Sequence, residues 1–302
     1  MRIAVTGSSG LIGSALVPRL RHAGHEVLRL VRARPAGRGA SYWNPPAGEI
    51  DREVLRGLDA VVHLAGRPIA TRWTRQVKKE ILESRTVSTH LLATTLAELD
   101  GGPRVLVSMS GIHYYGADRG DEILTEDSTP GEGFMPEVCQ AWEAAAEPAR
   151  AAGIRVAHIR GGLALTPEGG PLARLLPLFR LGLGGRLGSG RQWWSWVTFD
   201  DLLGVIQHAV ITDGVQGPLN ATAPAPVTNA EFTRTLARVL HRPAMLRVPG
   251  FGPRLVLGEL ADALALGSLR VRPERTLTSG YTFRHLDLEE ALTDLLHRRE
   301  PD

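Results

Sequence analysis

The stretch that decides the fold is 2–13, Arg2-Ile3-Ala4-Val5-Thr6-Gly7-Ser8-Ser9-Gly10-Leu11-Ile12-Gly13. The apolar run 2–6 reads as a buried strand that stops at a glycine turn. Leu11, Ile12, Ala15, Leu16 and Leu20 then recur at helical spacing, and Gly24 follows as a stop signal. Strand, glycine turn and helix in that order make a phosphate cradle. Gly7 allows the tight turn, Gly10 lets backbone approach a pyrophosphate, and Gly13 lets helix and strand pack closely. The helix N-terminus adds unpaired N–H groups and a partial positive charge. Gly7, Ser9, Gly10, Leu11, Ile12 and Gly13 are therefore expected to face a dinucleotide. A glycine triplet alone is weak; its place between a strand and a helix makes this one specific.

The second strand, 26–31, bears on which dinucleotide. An NAD-selective site places Asp or Glu at its end, on the ribose 2′-hydroxyl. Here the strand runs out as Leu30-Val31-Arg32, with Arg34 close behind and no carboxylate nearby. A guanidinium fork at Arg32 suits a 2′-phosphate, so NADP(H) is favoured as cofactor. The alternative is a solvated arginine in an arginine-rich chain.

Working outward, 59–64, 104–109 and 154–159 read as further strands, and 74–99 and 136–152 as helices. Strands alternating with helices predict an α/β protein with a Rossmann-type doubly wound parallel sheet. Leu64, Ala65 and Gly66 end the third strand with side chains small enough for a cofactor to lie against. His63, just before them, is expected to be structural. Beyond 165 the pattern loosens into Pro- and Gly-rich sequence, with helical stretches near 201–211, 229–240, 252–266 and 287–297. The division expected is an NADP(H)-binding domain over 1–165, its core continuing in part beyond, and a smaller C-terminal α/β substrate lobe over 166–302.

Composition narrows the class. The chain has 302 residues, 43% hydrophobic and 22% charged, enough for a sizeable core. Mean hydropathy is −0.06, no uncharged apolar run is long enough for a membrane span, and the N-terminus has no signal-peptide layout. Cys139 stands alone, which excludes an internal disulfide and fits a reducing, cytoplasmic setting. Lysine occurs only at Lys78 and Lys79, and the arginines are dispersed, so neither a nucleic-acid nor a membrane partner is expected. No metal site is expected either; Asp200-Asp201 reads as an N-cap and first-turn acid for the next helix.

The glycine turn, Arg32, Leu64-Ala65-Gly66 and Trp196-Val197-Thr198-Phe199-Asp200-Asp201 together resemble the extended short-chain dehydrogenase/reductases of the NAD-dependent epimerase/dehydratase branch. Further segments resemble its epimerase-family subgroup, also called cell-division-inhibitor-like. They include Arg72-Trp73-Thr74, Ser84-Arg85, Tyr114-Tyr115-Gly116, Trp142-Glu143, Thr228-Asn229-Ala230-Glu231-Phe232 and Gly280-Tyr281. The resemblance implies that Glu80 and Arg85 on the long helix reach the cofactor. It also implies that Arg160, Gly161 and Leu163 lie at the nicotinamide end, and that Ser108 and Ser110 follow a strand where a hydroxyl meets cofactor or substrate.

The usual catalytic pair of that family is missing. It is a Tyr with a Lys four residues on, placed on one helix face so that the cation lowers the phenol's pKa. The tyrosines here are Tyr42, Tyr114, Tyr115 and Tyr281, and neither lysine pairs with one. Aligning Glu143 with the family's acidic residue puts Met135 and Cys139 in the pair's places. Tyr115 and Arg119 have the spacing but sit in a loop, and Cys139 is expected to be packed rather than nucleophilic. Ser110 and Tyr115 are left as the catalytic candidates. The glycine-rich run 182–190 before Trp193, Trp194 and Trp196 suggests either a lid with an apolar wall or simple packing.

The expected function is an NADP(H)-dependent oxidoreductase acting on an unidentified small molecule. The alternatives are a non-catalytic NADP(H)-binding sensor and a nucleotide-sugar epimerase.

Overall fold

The computed structural model describes residues 1–33, 37, 39–251, 255 and 258–297. Thirteen strands carry the argument. They are β1 (Arg2–Thr6), β2 (Glu26–Val31), β3 (Ala40–Asn44), β4 (Glu49–Ile50), β5 (Ala60–His63), β6 (Val105–Gly111), β7 (Asp118–Leu124), β8 (Arg155–Gly161), β9 (Leu163–Leu165), β10 (Gly185–Leu187), β11 (Trp193–Trp194), β12 (Trp196–Thr198) and β13 (Gly217–Ala221). The helices between them are α1 (Leu11–His22), α2 (Arg75–Ala97), α3 (Phe134–Ala144), α4 (Glu147–Ala151), α5 (Gly170–Arg180), α6 (Phe199–Ile211) and α7 (Asn229–Val239).

Eight strands form one sheet in the order β13-β8-β6-β5-β1-β2-β3-β4, parallel throughout except for β4 against β3. The chain winds outward from β1 to β3, then crosses back to place β5 on the other side of β1. That reversal opens a crevice at the carboxyl ends of β1 and β5, where dinucleotides bind in this architecture.

Period-two alternation sorts the core. Ile3, Val5, Val62 and Val107 face α1 and α6, joining Leu16, Leu20, Val205 and Ile206. Ala4, Val61 and Leu106 face the other way, against Leu92 and Leu96 of α2 and Ala149 of α4. Near-continuous apolar strands are what a sheet covered on both faces requires. A third cluster, with Leu172, Phe179, Trp196, Phe232, Leu236 and Leu292, makes the core of the C-terminal lobe.

Several sequence expectations change. The stretch 136–152 is two helices, because the chain turns between α3 and α4 at Ala145 and Ala146. Strands β3, β4 and β7 lacked a readable pattern; β3 lies between β2 and the short edge strand β4 and alternates in burial, and among the described residues β7 pairs with Ser268–Val271 alone. Of 252–266, residues 259–261 are α-helical and 262–266 form a π-turn, while 252–254, 256 and 257 lie outside the described residues. Asp200-Asp201 is not the N-cap of α6. Thr198 is, its hydroxyl accepting from the Asp201 amide at 3.2 Å. Asp201 is thereby free to accept from the Tyr281 hydroxyl at 3.0 Å and the Arg284 amide at 2.9 Å, which ties the C-terminal segment to α6. Among the described residues no helix is long and apolar enough to cross a membrane.

Candidate functional site

The glycine turn is built by close backbone approach. Gly7 sits at φ +63°, and a Cβ there would lie 2.7 Å from the Leu64 carbonyl carbon. A Cβ on Gly13 would lie 2.3 Å from the Gly7 oxygen, so α1 can meet the turn only through glycine. Gly10 differs, since a Cβ there would meet only the Gly7 oxygen, at 3.3 Å. Its tolerance leaves it as the position where the turn opens outward. Gly10 caps α1 without a side-chain bond, and no acid stands in the first turn. The amides of that turn and the positive end of the helix thus remain for an anion.

Thr6 and His63 fasten the cradle from below. The Thr6 hydroxyl accepts from the amides of Leu64 at 3.1 Å and Ala65 at 3.2 Å. With both acceptor positions filled, its own proton goes to His63 Nδ1, 2.8 Å away. Nε2 then carries the ring hydrogen toward Ser88 Oγ at 3.2 Å, and Ser88 donates to the Ser84 carbonyl at 2.7 Å. Burial, aided by the nearby Arg85 charge, pushes His63 down to about 3, so the ring is neutral. It is a strut, as the sequence suggested.

The remaining cofactor candidates fall in three places. Ser9, Gly10 and Leu11 are exposed at the turn, and Leu11 lies against Gly169, where a Cβ would come within 2.8 Å of it. Arg32 is exposed just past β2; Arg34 lies outside the described residues. On α2, Glu80 pairs with Arg67 and accepts from Gln76, whereas Arg85 is buried against Gly66 and over the Trp142 ring at 4.9 Å. Ser108 departs from expectation. It is wholly buried within β6, its hydroxyl turned to the Met109 carbonyl at 3.3 Å, and it presents no surface to a cofactor.

Three adjacent strands of the sheet end in polar residues at one level. Ser110 of β6 is registered against Arg160 of β8, and Arg160 against Asn220 of β13. Ser110 donates to Glu143 Oε1 at 2.7 Å. Arg160 forks onto both Glu143 oxygens, and its Nη1 donates to the Tyr115 phenol at 3.0 Å. That phenol donates to Asn220 Oδ1 at 2.7 Å, and the Asn220 amide donates to Glu126 at 3.0 Å. The Tyr114 ring stacks on the guanidinium at 3.4 Å. Burial would raise the Glu143 carboxyl, but the hydrogen bonds and charge of Arg160 hold it below its ordinary value. Arg160 is raised in turn: burial opposes its charge, and Glu143 outweighs that.

This arrangement corrects two readings. Tyr115 does not face a substrate: it is fully buried, its phenol is consumed by Asn220 and Arg160, and burial pushes it up to about 12. Arg119 is no substitute lysine, since its guanidinium forks onto Glu122 at 2.8 Å and otherwise donates to the Tyr115 and Thr129 carbonyls, not to the Tyr115 phenol. Arg160 serves Glu143, while Gly161 and Leu163 beside it retain partial exposure. Met135 and Cys139 are buried on α3, and burial first, then Glu143, pushes the thiol up to about 12. The sequence reading noticed Glu143 only as an alignment marker. The available signal was a polar residue one position before the end of each of three strands, Ser110, Arg160 and Asn220.

The tryptophans pack rather than form a wall. Trp196 is fully buried and donates to the Ala225 carbonyl at 3.0 Å, Trp194 packs on Phe232, and Trp193 donates to Asp121 at 2.7 Å.

Comparison with known proteins agrees with this fold. The NAD dependent epimerase/dehydratase family matches residues 3–220. The chain belongs to that family. Within it, the chain is 43% identical to epimerase family protein Mb2239 of Mycobacterium bovis over 96% of each chain. It is 39% identical to mouse epimerase family protein SDR39U1, covering 98% of this chain and all of the other. A crystal structure of human epimerase family protein SDR39U1 with NADPH superimposes with a TM-score of 0.90 at 34% identity, over 99% of this chain and 100% of that one. Residues 248–295 of this family member match a domain of unknown function, DUF1731. A UDP-glucose 4-epimerase from Thermotoga maritima shares the fold, with a TM-score of 0.76 at 17% identity over 97% of this chain and 96% of that one.

Proposed function

We propose that this chain binds NADP(H) and is an oxidoreductase acting on a small alcohol or its carbonyl partner. The pyrophosphate lies against the first-turn amides of α1, Arg32 meets the 2′-phosphate, and Arg85 and Gly66 border the channel between them and Ser110. The glycine cradle fits this group, because side chains are excluded where the phosphates approach. The relative crystallised with NADPH supports the same choice. Bound nicotinamide supplies hydride exchange.

One observation carries the chemistry: the Ser110 hydroxyl proton is committed to a carboxylate, at 2.7 Å from Glu143. Its oxygen therefore offers lone pairs, which suit a substrate hydroxyl rather than a carbonyl. In the oxidation direction the substrate's proton passes to Ser110 as the serine's own proton passes to Glu143. A carboxylate held below its ordinary pKa is a weak base, so this relay is modest. That weakness favours a second reading, an NADP(H)-binding sensor. Tyr115 and Cys139 both titrate near 12, far from neutrality. Epimerisation by transient oxidation is less favoured, since Met135 and Cys139 hold the places of the pair that would serve a sugar hydroxyl.

Calorimetry with NADPH and NADH, on wild type and Arg32→Glu, tests the cofactor. The proposal expects NADPH to bind more tightly and the variant to lose that preference; equal affinities in wild type overturn it. A panel of alcohols and carbonyl compounds then tests turnover. Saturable NADP(H) turnover, reduced by Ser110→Ala, supports the oxidoreductase. Tight binding without turnover transfers the reading to the sensor.

A further inference from the structure

The chain is nearly balanced in charge, with 35 basic and 32 acidic residues, yet the acids avoid two segments altogether. Neither 169–199 nor 232–258 contains an Asp or Glu. The first carries Arg174, Arg180, Arg186 and Arg191; the second carries Arg234, Arg238, Arg242, Arg247 and Arg254.

The fold brings 180–187 and 242–248 together at one end of the C-terminal lobe. Gly185–Leu187 pairs in parallel with Leu246–Val248. Arg242 Nε donates to the Arg180 carbonyl at 2.9 Å, and Gly182 lies against Pro243.

This end also concentrates exposed apolar side chains, whereas Leu11, Val87, Ile123, Ile211 and Leu286 are exposed at scattered places elsewhere. Leu181 is 73% exposed, Met245 88% and Phe251 64%, and Leu178, Leu183 and Leu246 are exposed beside them. Leu178 stands on α5, Leu181 and Leu183 follow its end, and Met245 and Leu246 lie at the start of the strand Leu246–Val248 that pairs with β10. Single exposed leucines need no explanation, but a contiguous apolar patch rimmed by polar residues marks an interaction site.

The charge selects the occupant. A second copy docking through the same face would set Arg180, Arg242 and Arg247 against their own counterparts, and neither segment supplies a carboxylate to answer them; Arg238, earlier in the second segment, is taken up by Glu289. An anionic bilayer satisfies both features: leucine, methionine and phenylalanine enter the headgroup boundary while the arginines meet lipid phosphates. We propose that this end of the C-terminal lobe docks reversibly on the surface of an anionic membrane, without crossing it. The sequence had suggested no membrane partner, because arginines dispersed along the chain show their clustering only once the two segments are adjacent.

Vesicle co-sedimentation tests the proposal with the full chain. Vesicles of phosphatidylcholine with one third phosphatidylglycerol are compared with pure phosphatidylcholine. Binding is expected to the anionic vesicles and to weaken as salt rises. Each basic residue at such a surface is worth about fivefold in affinity, so Arg180→Glu with Arg247→Glu is expected to weaken binding by at least about 20-fold. Leu181→Ser with Met245→Ser weakens it at constant charge. All four positions are exposed and lie away from the glycine cradle, so NADPH affinity in calorimetry should stay unchanged and report an intact fold. No binding to anionic vesicles, or equal binding to both kinds, overturns the proposal. So does a concentration-dependent dimer in sedimentation velocity that the serine variant abolishes, which assigns the patch to self-association. Poly-glutamate that binds as tightly as the vesicles, and as tightly to the serine variant, also overturns it in favour of an acidic protein partner.

Discussion

Arg160 and Glu143 form a forked ion pair beneath the candidate site: Nε reaches Oε1 at 2.9 Å and Nη2 reaches Oε2 at 2.8 Å, with the guanidinium almost wholly out of solvent. Two parallel charge-assisted bonds fix the carboxylate's plane, and so fix the direction in which Ser110 points its proton. Met135 and Cys139 are buried on α3, and the charged pair at this level is Glu143 of α3 with Arg160 of β8.

Removing one partner of a buried pair leaves an uncompensated charge. Glu143→Ala is expected to cost about 3–5 kcal/mol of stability in urea unfolding, and Glu143→Gln clearly less, because the amide keeps one acceptor for the guanidinium. The pH dependence follows from the direction of the shift. Glu143 is depressed in the fold, so its contribution is complete above the ordinary carboxylate pKa and is lost as pH falls through the lower folded value. A wild-type acid unfolding curve that matches that of Glu143→Gln would remove the pair from the stability account.

The three turn glycines should separate fold from ligand. Gly13→Ala meets the Gly7 oxygen at 2.3 Å and forces backbone to move, which predicts a loss of several degrees in melting temperature together with cofactor affinity. Gly10→Ala meets only one atom, at 3.3 Å, so the fold should hold while the methyl group stands where phosphate approaches. A drop of about tenfold or more in NADPH affinity with a melting temperature changed by less than about 2 °C is expected for Gly10→Ala. Equal affinity in Gly10→Ala and wild type would mean that the dinucleotide does not lie on this turn.

Much of this was readable from local sequence, and the reason is physical. Gly7, Gly10 and Gly13 act through backbone geometry over seven residues, so strand, turn and helix are visible in one short window. The apolar runs of β1, β5, β6 and β8 are nearly continuous because both sheet faces are covered, and that too is a local property. The polar chain beneath the site is not local. Ser110 and Glu143 are 33 positions apart, and Tyr115 and Asn220 are 105 apart. Nothing at Tyr115 itself distinguishes a phenol facing a substrate from one sealed by Arg160 and Asn220. Strand β3 escaped notice because its buried positions, Ser41 and Trp43, alternate with half-buried Ala40, Tyr42 and Asn44 and make no apolar run, and α3 and α4 merged because alanine-rich sequence does not mark a turn.

Tyr115→Phe tests whether that phenol is structural. It loses the bonds to Asn220 and Arg160 while keeping the ring, and leaves a buried carbonyl and guanidinium short of a partner. The expected cost is about 1–3 kcal/mol in urea unfolding. If turnover is found, its pH profile should be unmoved between wild type and variant, because a phenol near 12 exchanges no proton at working pH. A limb of that profile lost in Tyr115→Phe would return Tyr115 to the chemistry.

His63 gives the last prediction, and its sign can be worked out fully. The folded ring titrates at about 3, against about 6.5 for an ordinary histidine, because burial penalises the charged form. Above 6.5 the ring is neutral whether the chain is folded or not, and its contribution to stability is complete. Between 6.5 and 3 the unfolded chain takes up a proton that the folded chain refuses, so stability is lost as pH falls, by about 1.4 kcal/mol per unit. His113, pushed down to about 4, and His158 and His208, also lowered by burial, add to the same slope. His63→Asn should therefore be less stable than wild type at pH 7.5, since Thr6 and Ser88 lose a matched partner, yet decline more gently below pH 6. Urea midpoints at half-unit steps from pH 7.5 to pH 4.5 would show the two curves converging. Parallel curves would mean that the imidazole is protonated inside the fold, and the tautomer assigned from the Thr6 and Ser88 bonds would be wrong.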